Sequence, residues 1–327
     1  MRLALLISTV VGLALAAWLL GHVGWVAVWA PVQAIGFGGF ALYVAYTLPV
    51  LAVLGAAWWV VAPPSSAATL PGFVWGRATR EAATDLLPFA QLGGLVVGGR
   101  TVAAAGTPAP LAYASMVADL TTEMAAQLVF TLAGIAALAA MLAGDPVSHQ
   151  TTRTVIVGVT LVLAAGAAFA GLQRPLIALA GRLLERLVPG SAVAFGTVRT
   201  ELDRVYRARA RVAASFALNL VAWVVSAGGA WLALRLAGQH VGLVPMLVIE
   251  SLIFALRSAA FMVPGGLGIQ EGAYVLLCPL FGLPPETGLA LSLLKRARDV
   301  AVGLPVLLAW QLQESGALWR SRASLRD

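Results

Sequence analysis

Long apolar runs separated by short polar segments fill most of the chain. An α-helix needs about 20 apolar residues to cross a bilayer, and six runs are long and continuous enough to do so. Two further apolar runs are interrupted by proline and glycine, which predicts broken or re-entrant helical hairpins. The predicted full crossings lie at residues 3–20, 40–62, 112–143, 154–172, 212–234 and 287–311. The pattern therefore predicts an all-α, polytopic integral membrane protein.

Composition supports this prediction and limits where the function lies. Hydrophobic residues make up 60% of the 327 residues and charged residues only 11%, against about 25% charged residues in a soluble domain. The crossings leave no room for a separate soluble enzyme domain. We expect one transmembrane domain over residues 1–327, made of a first half (1–172), a cytoplasmic amphipathic elbow (173–211) and a second half (212–327). The function must therefore lie within the membrane.

Both interrupted runs contain residues that end helices. The first run covers residues 86–110 and the second covers residues 244–282. The expected helix breaks are Pro88, Gly93 and Gly94 in the first run, and Pro264, Gly265, Gly266 and Gly268 in the second. Irregular backbone at membrane depth survives only where it is buried in protein or lines a wet cavity. The two breaks therefore predict a transport path, with two ordinary kinked helix pairs as the alternative.

The positions of the arginines predict the orientation of the chain. Cytoplasmic loops are enriched in arginine and lysine, and residues 174–211 carry eight arginines. The predicted loop 63–85 adds Arg77 and Arg80. With six crossings, these loops place both termini in the cytoplasm and make the two interrupted runs enter from opposite faces. Inverted halves of this kind are typical of transporters, here expected in the inner (plasma) membrane.

Two carboxylates in the third crossing need a neutralising partner. Asp119 and Glu123 are four residues apart and therefore share one face of a helix. Two carboxylates this close repel when both are ionised, so we expect either that Arg100 lies nearby or that one carboxyl group holds a proton. A position at the cytoplasmic interface, with a plain capping role, is the alternative.

A second set of charges surrounds the break at residues 264–271. Glu250 and Arg257 precede the break close to one helix face, and Glu271 follows it. The last crossing carries four charges within five residues, namely Lys295, Arg296, Arg298 and Asp299. Because these side chains cannot all face lipid, we expect the last helix to bring its cations to Glu250 and Glu271. The set forms either a hydrated, net-cationic vestibule for an anionic head group or an ion-pair network that only fixes helix packing.

The motif at residues 264–271, Pro-Gly-Gly-Leu-Gly-Ile-Gln-Glu, resembles the flippase-like transmembrane family of the lysylphosphatidylglycerol synthases, as does the charged last crossing. The resemblance covers nearly the whole chain and includes Pro88, Gly93 and Arg100. The runs 86–94 and 291–299 resemble the hopanoid-associated HpnL branch of that family. Two features depart from the family pattern. Gly94 stands where relatives often carry glutamate, and no C-terminal aminoacyl-transferase domain is expected.

The resemblance implies a protein that moves lipid head groups between leaflets. Glu271 is then expected to contact the head group or carry a coupling proton, while Arg296 and Arg298 neutralise phosphate. The implied partners are membrane lipids, anionic or hopanoid, and proteins of lipid biosynthesis. We expect no nucleic acid, no cofactor and no bound metal. The second hypothesis is an accessory scaffold subunit of a lipid-synthesis system that docks through the arginine-rich elbow. No Ser/His/Asp set or zinc motif indicates an enzyme.

Overall fold

The structure is a computed structural model that describes residues 25–63, 69–86, 90–142, 191–259 and 268–323. Within these ranges the regular structure is entirely helical, with nine α-helices and one 3-10 turn. The α-helices are α1 (Trp25–Val61), α2 (Leu70–Leu86), α3 (Ala90–Ala104), α4 (Ala109–Leu142), α5 (Ser191–Arg207), α6 (Arg209–Leu236), α7 (Leu243–Ala259), α8 (Ile269–Leu277) and α9 (Pro285–Ala323). The 3-10 turn, Cys278–Phe281, separates α8 from α9. The all-α prediction is confirmed.

Among the described residues, three helices are long and apolar enough to cross a membrane, over Gln33–Val61 in α1, Ala109–Met141 in α4 and Arg209–Leu236 in α6. They overlap the predicted crossings at 40–62, 112–143 and 212–234, and α9 overlaps the predicted crossing at 287–311. The predicted crossings at 3–20 and 154–172 lie outside the described residues, as do the expected breaks at Pro88, Pro264, Gly265 and Gly266. The chain is thus a polytopic helical membrane protein.

Helix α2 occupies residues that the sequence predicted to be a cytoplasmic loop. Its charged side chains interrupt any apolar run, so it lacks the pattern of a crossing. Arg77 is nevertheless only 1% exposed and Arg80 only 3% exposed, which places both side chains inside the bundle. The loop prediction for residues 63–85 is wrong, because carboxylates on α4 neutralise both arginines and remove their need for water.

Gly93 and Gly94 do not break a helix. Both lie inside α3, which is continuous along its whole length. A Cβ atom on Gly94 would lie 2.1 Å from Thr84 Oγ1, and one on Gly98 would lie 2.8 Å from the Cβ atom of Arg80. Two helix backbones approach this closely only where side chains are missing. The prediction of a helix break at these glycines is therefore wrong, and Gly94 and Gly98 instead allow α3 to pack against α2.

Helix α8 begins directly after a residue with non-helical backbone. Gly268 precedes the helix with a φ of 76°, in the left-handed region that favours glycine. The helix is short, and Glu271 lies in its first turn. Gly268 therefore stands outside helical geometry, as the sequence predicted, and it places Glu271 at the positive end of a short helix.

The two halves of the described chain pack in the same order. In the first half α1 contacts α2, α2 contacts α3 and α3 contacts α4; in the second half α6 contacts α7, α7 contacts α8 and α8 contacts α9. Across the halves, α1 lies against α6, α4 lies against α7, and α9 lies against α2. This order brings charged side chains of both halves into the interior.

Apolar packing surrounds each set of charges. In the first half, Trp58 meets Phe73 edge to face with 5.4 Å between ring centroids, and its Nε1 donates to Ser115 Oγ at 3.1 Å. In the second half, Ile249 and Tyr274 belong to a buried cluster that reaches α1 and α6. Because lipid tails are as apolar as these side chains, close packing rather than water exclusion holds the helices together.

Candidate functional site

Glu250 of α7 and Lys295 of α9 form a buried ion pair in the second half. Lys295 Nζ donates to Glu250 Oε2 at 2.7 Å and to the Tyr274 hydroxyl at 2.8 Å. The Tyr274 hydroxyl donates in turn to Glu250 Oε1. Glu250 is fully buried and Lys295 is 3% exposed, so the three side chains satisfy one another without water. We call Glu250, Glu271, Tyr274, Lys295 and Arg296 the second-half cluster.

Glu271 is the member of this cluster that retains an open oxygen atom. Arg296 Nε lies 3.1 Å from Glu271 Oε1, and Ser292 Oγ donates to the same oxygen at 3.3 Å. Glu271 Oε2 is buried and accepts no hydrogen bond from the residues that the structure describes. The Arg296 side chain is 22% exposed, so the pair lies at the edge of the buried region. The prediction that cations of the last helix reach Glu250 and Glu271 is confirmed for Lys295 and Arg296.

Arg298 and Arg257 have other partners. Arg298 pairs with its neighbour Asp299, at 2.6 Å between NH2 and Oδ1, and also donates to the Tyr43 hydroxyl at 3.4 Å. Arg257 NH2 lies 3.7 Å from Asp85 Oδ1 of α2. Neither arginine therefore pairs with Glu250 or Glu271, and the Arg257 contact joins α7 to α2.

The charges around the second-half cluster balance. The carboxylates are Glu250, Glu271, Asp299 and Asp85, and the cations are Lys295, Arg296, Arg298 and Arg257. The expectation of a net-cationic vestibule is thus wrong for the described residues, because Asp85 of α2 adds a fourth carboxylate that the expectation did not include. A bound molecule with a single charge would give the site a net charge, whereas a zwitterionic molecule, with one positive and one negative group, would keep it neutral.

A second buried cluster joins α2 to α4 in the first half. Arg77 lies 3.2 Å from Asp119 Oδ2 and 2.5 Å from Glu123 Oε1. Arg80 lies 3.1 Å from the same Asp119 oxygen and 2.8 Å from Glu123 Oε2. Asn219 of α6 donates to the other Asp119 oxygen at 3.3 Å. We call Arg77, Arg80, Asp119 and Glu123 the first-half cluster.

Arg100 does not belong to the first-half cluster. Its side chain is 55% exposed and pairs with Glu314 of α9 at 2.6 Å. The expectation that Arg100 lies near Asp119 and Glu123 is wrong, because two arginines of α2 supply the charge, while the alternative that one carboxyl group holds a proton stays a prediction. A capping role for Asp119 is also wrong, since that residue is fully buried and lies ten residues after the start of α4. Sequence reasoning missed Arg77 and Arg80, although their spacing of three residues on one helix face was visible.

One ion pair of each cluster lies at the same positions, counted from the starts of its two helices. Arg77 lies seven residues after the first residue of α2, and Glu250 lies seven after the first residue of α7, both helices having 17 residues. Asp119 lies ten residues after the first residue of α4, and Lys295 lies ten after that of α9. The equivalent helices are thus joined by equivalent ion pairs with the charges exchanged. Comparison of the residue letters alone misses this relation because no charged residue is repeated.

The chain matches a known protein family over nearly its whole length. The family model for the lysylphosphatidylglycerol synthase TM region matches residues 3–306. The chain belongs to this family. Both clusters lie within the matched residues, so they are part of the family's transmembrane region rather than of an added segment. Comparisons with curated proteins and with solved structures found no match.

Membership of the lysylphosphatidylglycerol synthase transmembrane family does not state what the site binds. The side chains of the site show which groups it offers to a bound molecule. Glu271 offers one oxygen as a hydrogen-bond acceptor, and Arg296 offers a guanidinium group that favours phosphate or carboxylate. Glu250, Lys295 and Tyr274 satisfy one another and fix the helices behind this pair. The arrangement is therefore suited to holding a polar group reversibly at membrane depth.

Proposed function

We propose that the protein is a flippase-like lipid translocase that moves a polar lipid, a hopanoid or a phospholipid, between the two leaflets. The polar head group would pass between the two halves while the apolar tail stays in the bilayer. The proposal includes no chemical conversion of the lipid. The observation that carries it is the buried Glu271, which pairs with Arg296 through one oxygen and presents the other without a partner among the described residues.

A buried carboxylate oxygen without a donor among the described residues supports a transient ligand. Ionisable groups inside a membrane are expensive and face the bundle interior or a wet cavity. A buried acceptor without a hydrogen bond costs about 1–3 kcal/mol, which a donor from the ligand would recover. The hydroxyl or ammonium group of a lipid head group is such a donor, and Arg296 would hold a phosphate beside it. The same carboxylate would alternatively carry a coupling proton.

The equivalence of the two clusters supports a transport cycle between two halves. Inverted halves that meet near the middle of the membrane allow one site to open alternately to each side. Arg77 with Asp119 and Glu250 with Lys295 would then be the corresponding contacts of the two halves. We propose this inverted arrangement, with the protein in the inner (plasma) membrane and both termini in the cytoplasm, as the basis of the activity.

An accessory scaffold in lipid biosynthesis is the second candidate function. The observation that favours it is the row of exposed arginines on α5 and at the start of α6, including Arg199, Arg204 and Arg207. A docking surface of this kind would serve an acidic partner protein and would not need Glu271. The two candidates therefore make opposite predictions for a change at Glu271.

The test is leaflet exchange by the purified, reconstituted protein with Glu271→Gln. This change keeps the shape of the side chain and removes its charge, so exchange of a head-group-labelled lipid is expected to fall at least ten-fold. Glu286→Gln is the matched control, because this change removes an equal charge from the first turn of α9, outside the cluster. Equal exchange rates for both variants would overturn the assigned role of Glu271 and favour the scaffold.

A further inference from the structure

A cleft between α4, α5 and α6 includes no residue of the two ion-pair clusters in its lining. It consists of a cavity of about 340 Å³ with mainly apolar walls and a polar cavity of about 500 Å³ beside it. Both volumes fall in the range of about 300–1,000 Å³ that is usual for ligand sites. Tyr206 and Arg209 line both cavities, so the two spaces form one cleft with an apolar end and a polar end.

The apolar end runs along two membrane-crossing helices. Ala125 of α4 and Val212, Ala213 and Phe216 of α6 line it. α6 is long and apolar enough to cross the membrane, and this end of the cleft follows its first two turns. The hydroxyls of Tyr206 and Thr121 lie 2.9 Å apart and close the connection between α5 and α4. The apolar end is therefore shaped for a lipid tail rather than for a water-soluble ligand.

The polar end carries a net positive charge. Arg207 and Arg209 line it together with Asp203, and neither arginine has an ion pair within the part of the chain that the structure describes. Residues 199–211 contain five arginines against Glu201 and Asp203. Basic pockets beside membrane helices at the interface attract anionic lipid head groups by about 1 kcal/mol for each arginine. The charge at this end complements a phosphate.

The first turn of α6 adds to the positive charge at this end of the cleft. Ala208 supplies no side-chain cap to this helix, and no acidic residue lies in its first turn. The N-terminus of a helix carries partial positive charge, so Arg209 and Arg211 lie where a cation is unfavourable unless an anion is nearby. Arg211 donates to the carbonyl of Ala62, which leaves Arg209 at the mouth of the cleft. A phosphate at this point would satisfy both the helix end and the arginine.

We propose that this cleft binds an anionic phospholipid, with its phosphate at Arg207 and Arg209 and one acyl chain along Ala213 and Phe216. The lipid stays in its own leaflet and fastens α5 to α4 and α6. The site does not include Glu271, so its test does not depend on the role proposed for that residue.

The experiment measures lipids retained by the full-length protein in native mass spectrometry after exchange into nanodiscs of defined composition. The wild-type protein is expected to retain phosphatidylglycerol at least ten-fold better than phosphatidylcholine. The double variant Arg207→Gln, Arg209→Gln is expected to lose this preference. The control Arg199→Gln, Arg204→Gln removes the same charge from α5 outside the cleft and is expected to keep it. Glu271→Gln is expected to keep it as well.

A second arm separates a bound lipid from a bound phosphate. Ala125→Phe fills the apolar end and is expected to lower phosphatidylglycerol retention several-fold, whereas Ala136→Phe, on an exposed part of α4 that does not line the cleft, leaves it unchanged. Glycerol phosphate, which has the head group without tails, is expected to compete poorly. Equal retention in the two arginine variants, equal retention of both lipids, or full competition by glycerol phosphate would each overturn the proposal.

Discussion

Replacing Lys295 by methionine is expected to lower the free energy of unfolding by about 3–5 kcal/mol. Methionine keeps the length of the side chain and removes the charge that lies 2.7 Å from Glu250 Oε2. Glu250 is fully buried and would keep only the Tyr274 hydroxyl as a partner. Removing one member of a buried ion pair typically costs this much, because the remaining charge stays uncompensated in a region without water.

The magnitude distinguishes an ion pair from an ordinary hydrogen bond between membrane helices. Such hydrogen bonds contribute on average about 0.6 kcal/mol in double-mutant cycles. Glu250→Gln removes the stranded charge, so the double variant Glu250→Gln, Lys295→Met should be more stable than the sum of the single changes predicts. We expect a coupling energy of about 2 kcal/mol, within the range of about 0.5–3 kcal/mol that contacting residues show.

The assay is equilibrium unfolding of the protein in mild detergent, followed by far-ultraviolet circular dichroism during denaturant titration. Arg100→Met is the control, because Arg100 forms an exposed ion pair with Glu314, and exposed pairs contribute about 0–1 kcal/mol. A loss below about 1 kcal/mol for Lys295→Met, or additive effects in the cycle, would refute the view that this buried pair holds α7 to α9.

Two further predictions address the first half and the relation between the halves. Asp119→Asn is expected to lower the free energy of unfolding by about 3 kcal/mol, because two buried arginines share this carboxylate. The control Asp203→Asn, at an exposed position, is expected to change it by less than about 0.5 kcal/mol. Equal effects of the two changes would contradict the role of the first-half cluster. In a Cys278→Ser background, cysteines introduced at exposed Ala105 and Pro284 are expected to react with a membrane-impermeant reagent from opposite sides. Labelling from one side would exclude inverted halves.

The long apolar helices were predictable because length and hydropathy alone decide whether a segment spans the bilayer. The partners of Glu271 and Glu250 were predictable for a related reason. Four charges within five residues cannot face lipid, so the helix with Lys295 had to turn them toward other charges. The sequence could not assign each cation of the last helix to its carboxylate. Neighbouring side chains on a helix point about 100° apart, and Arg298 pairs with Asp299 rather than with Glu250 or Glu271.

Helix α2 shows where reasoning from hydropathy fails. A membrane protein is expected to expose arginines in loops, and Arg77 and Arg80 satisfied that pattern. Their burial depends on Asp119 and Glu123, which are about 40 residues away in the chain and become neighbours only through packing. The equivalence of the two halves was hidden for a similar reason. An ion pair has the same Coulomb energy whichever helix carries the cation, so the residues differ while the contact is preserved.

The most direct test of the central claim is leaflet exchange by the wild-type protein in sealed vesicles. A fluorescent label on the head group of a polar lipid in both leaflets is exposed to a membrane-impermeant quencher. If the protein moves lipids, nearly all the label becomes accessible in vesicles that contain it, while about half stays protected in protein-free vesicles. If the same half stays protected for phospholipid and hopanoid alike in both preparations, the protein is not a translocase.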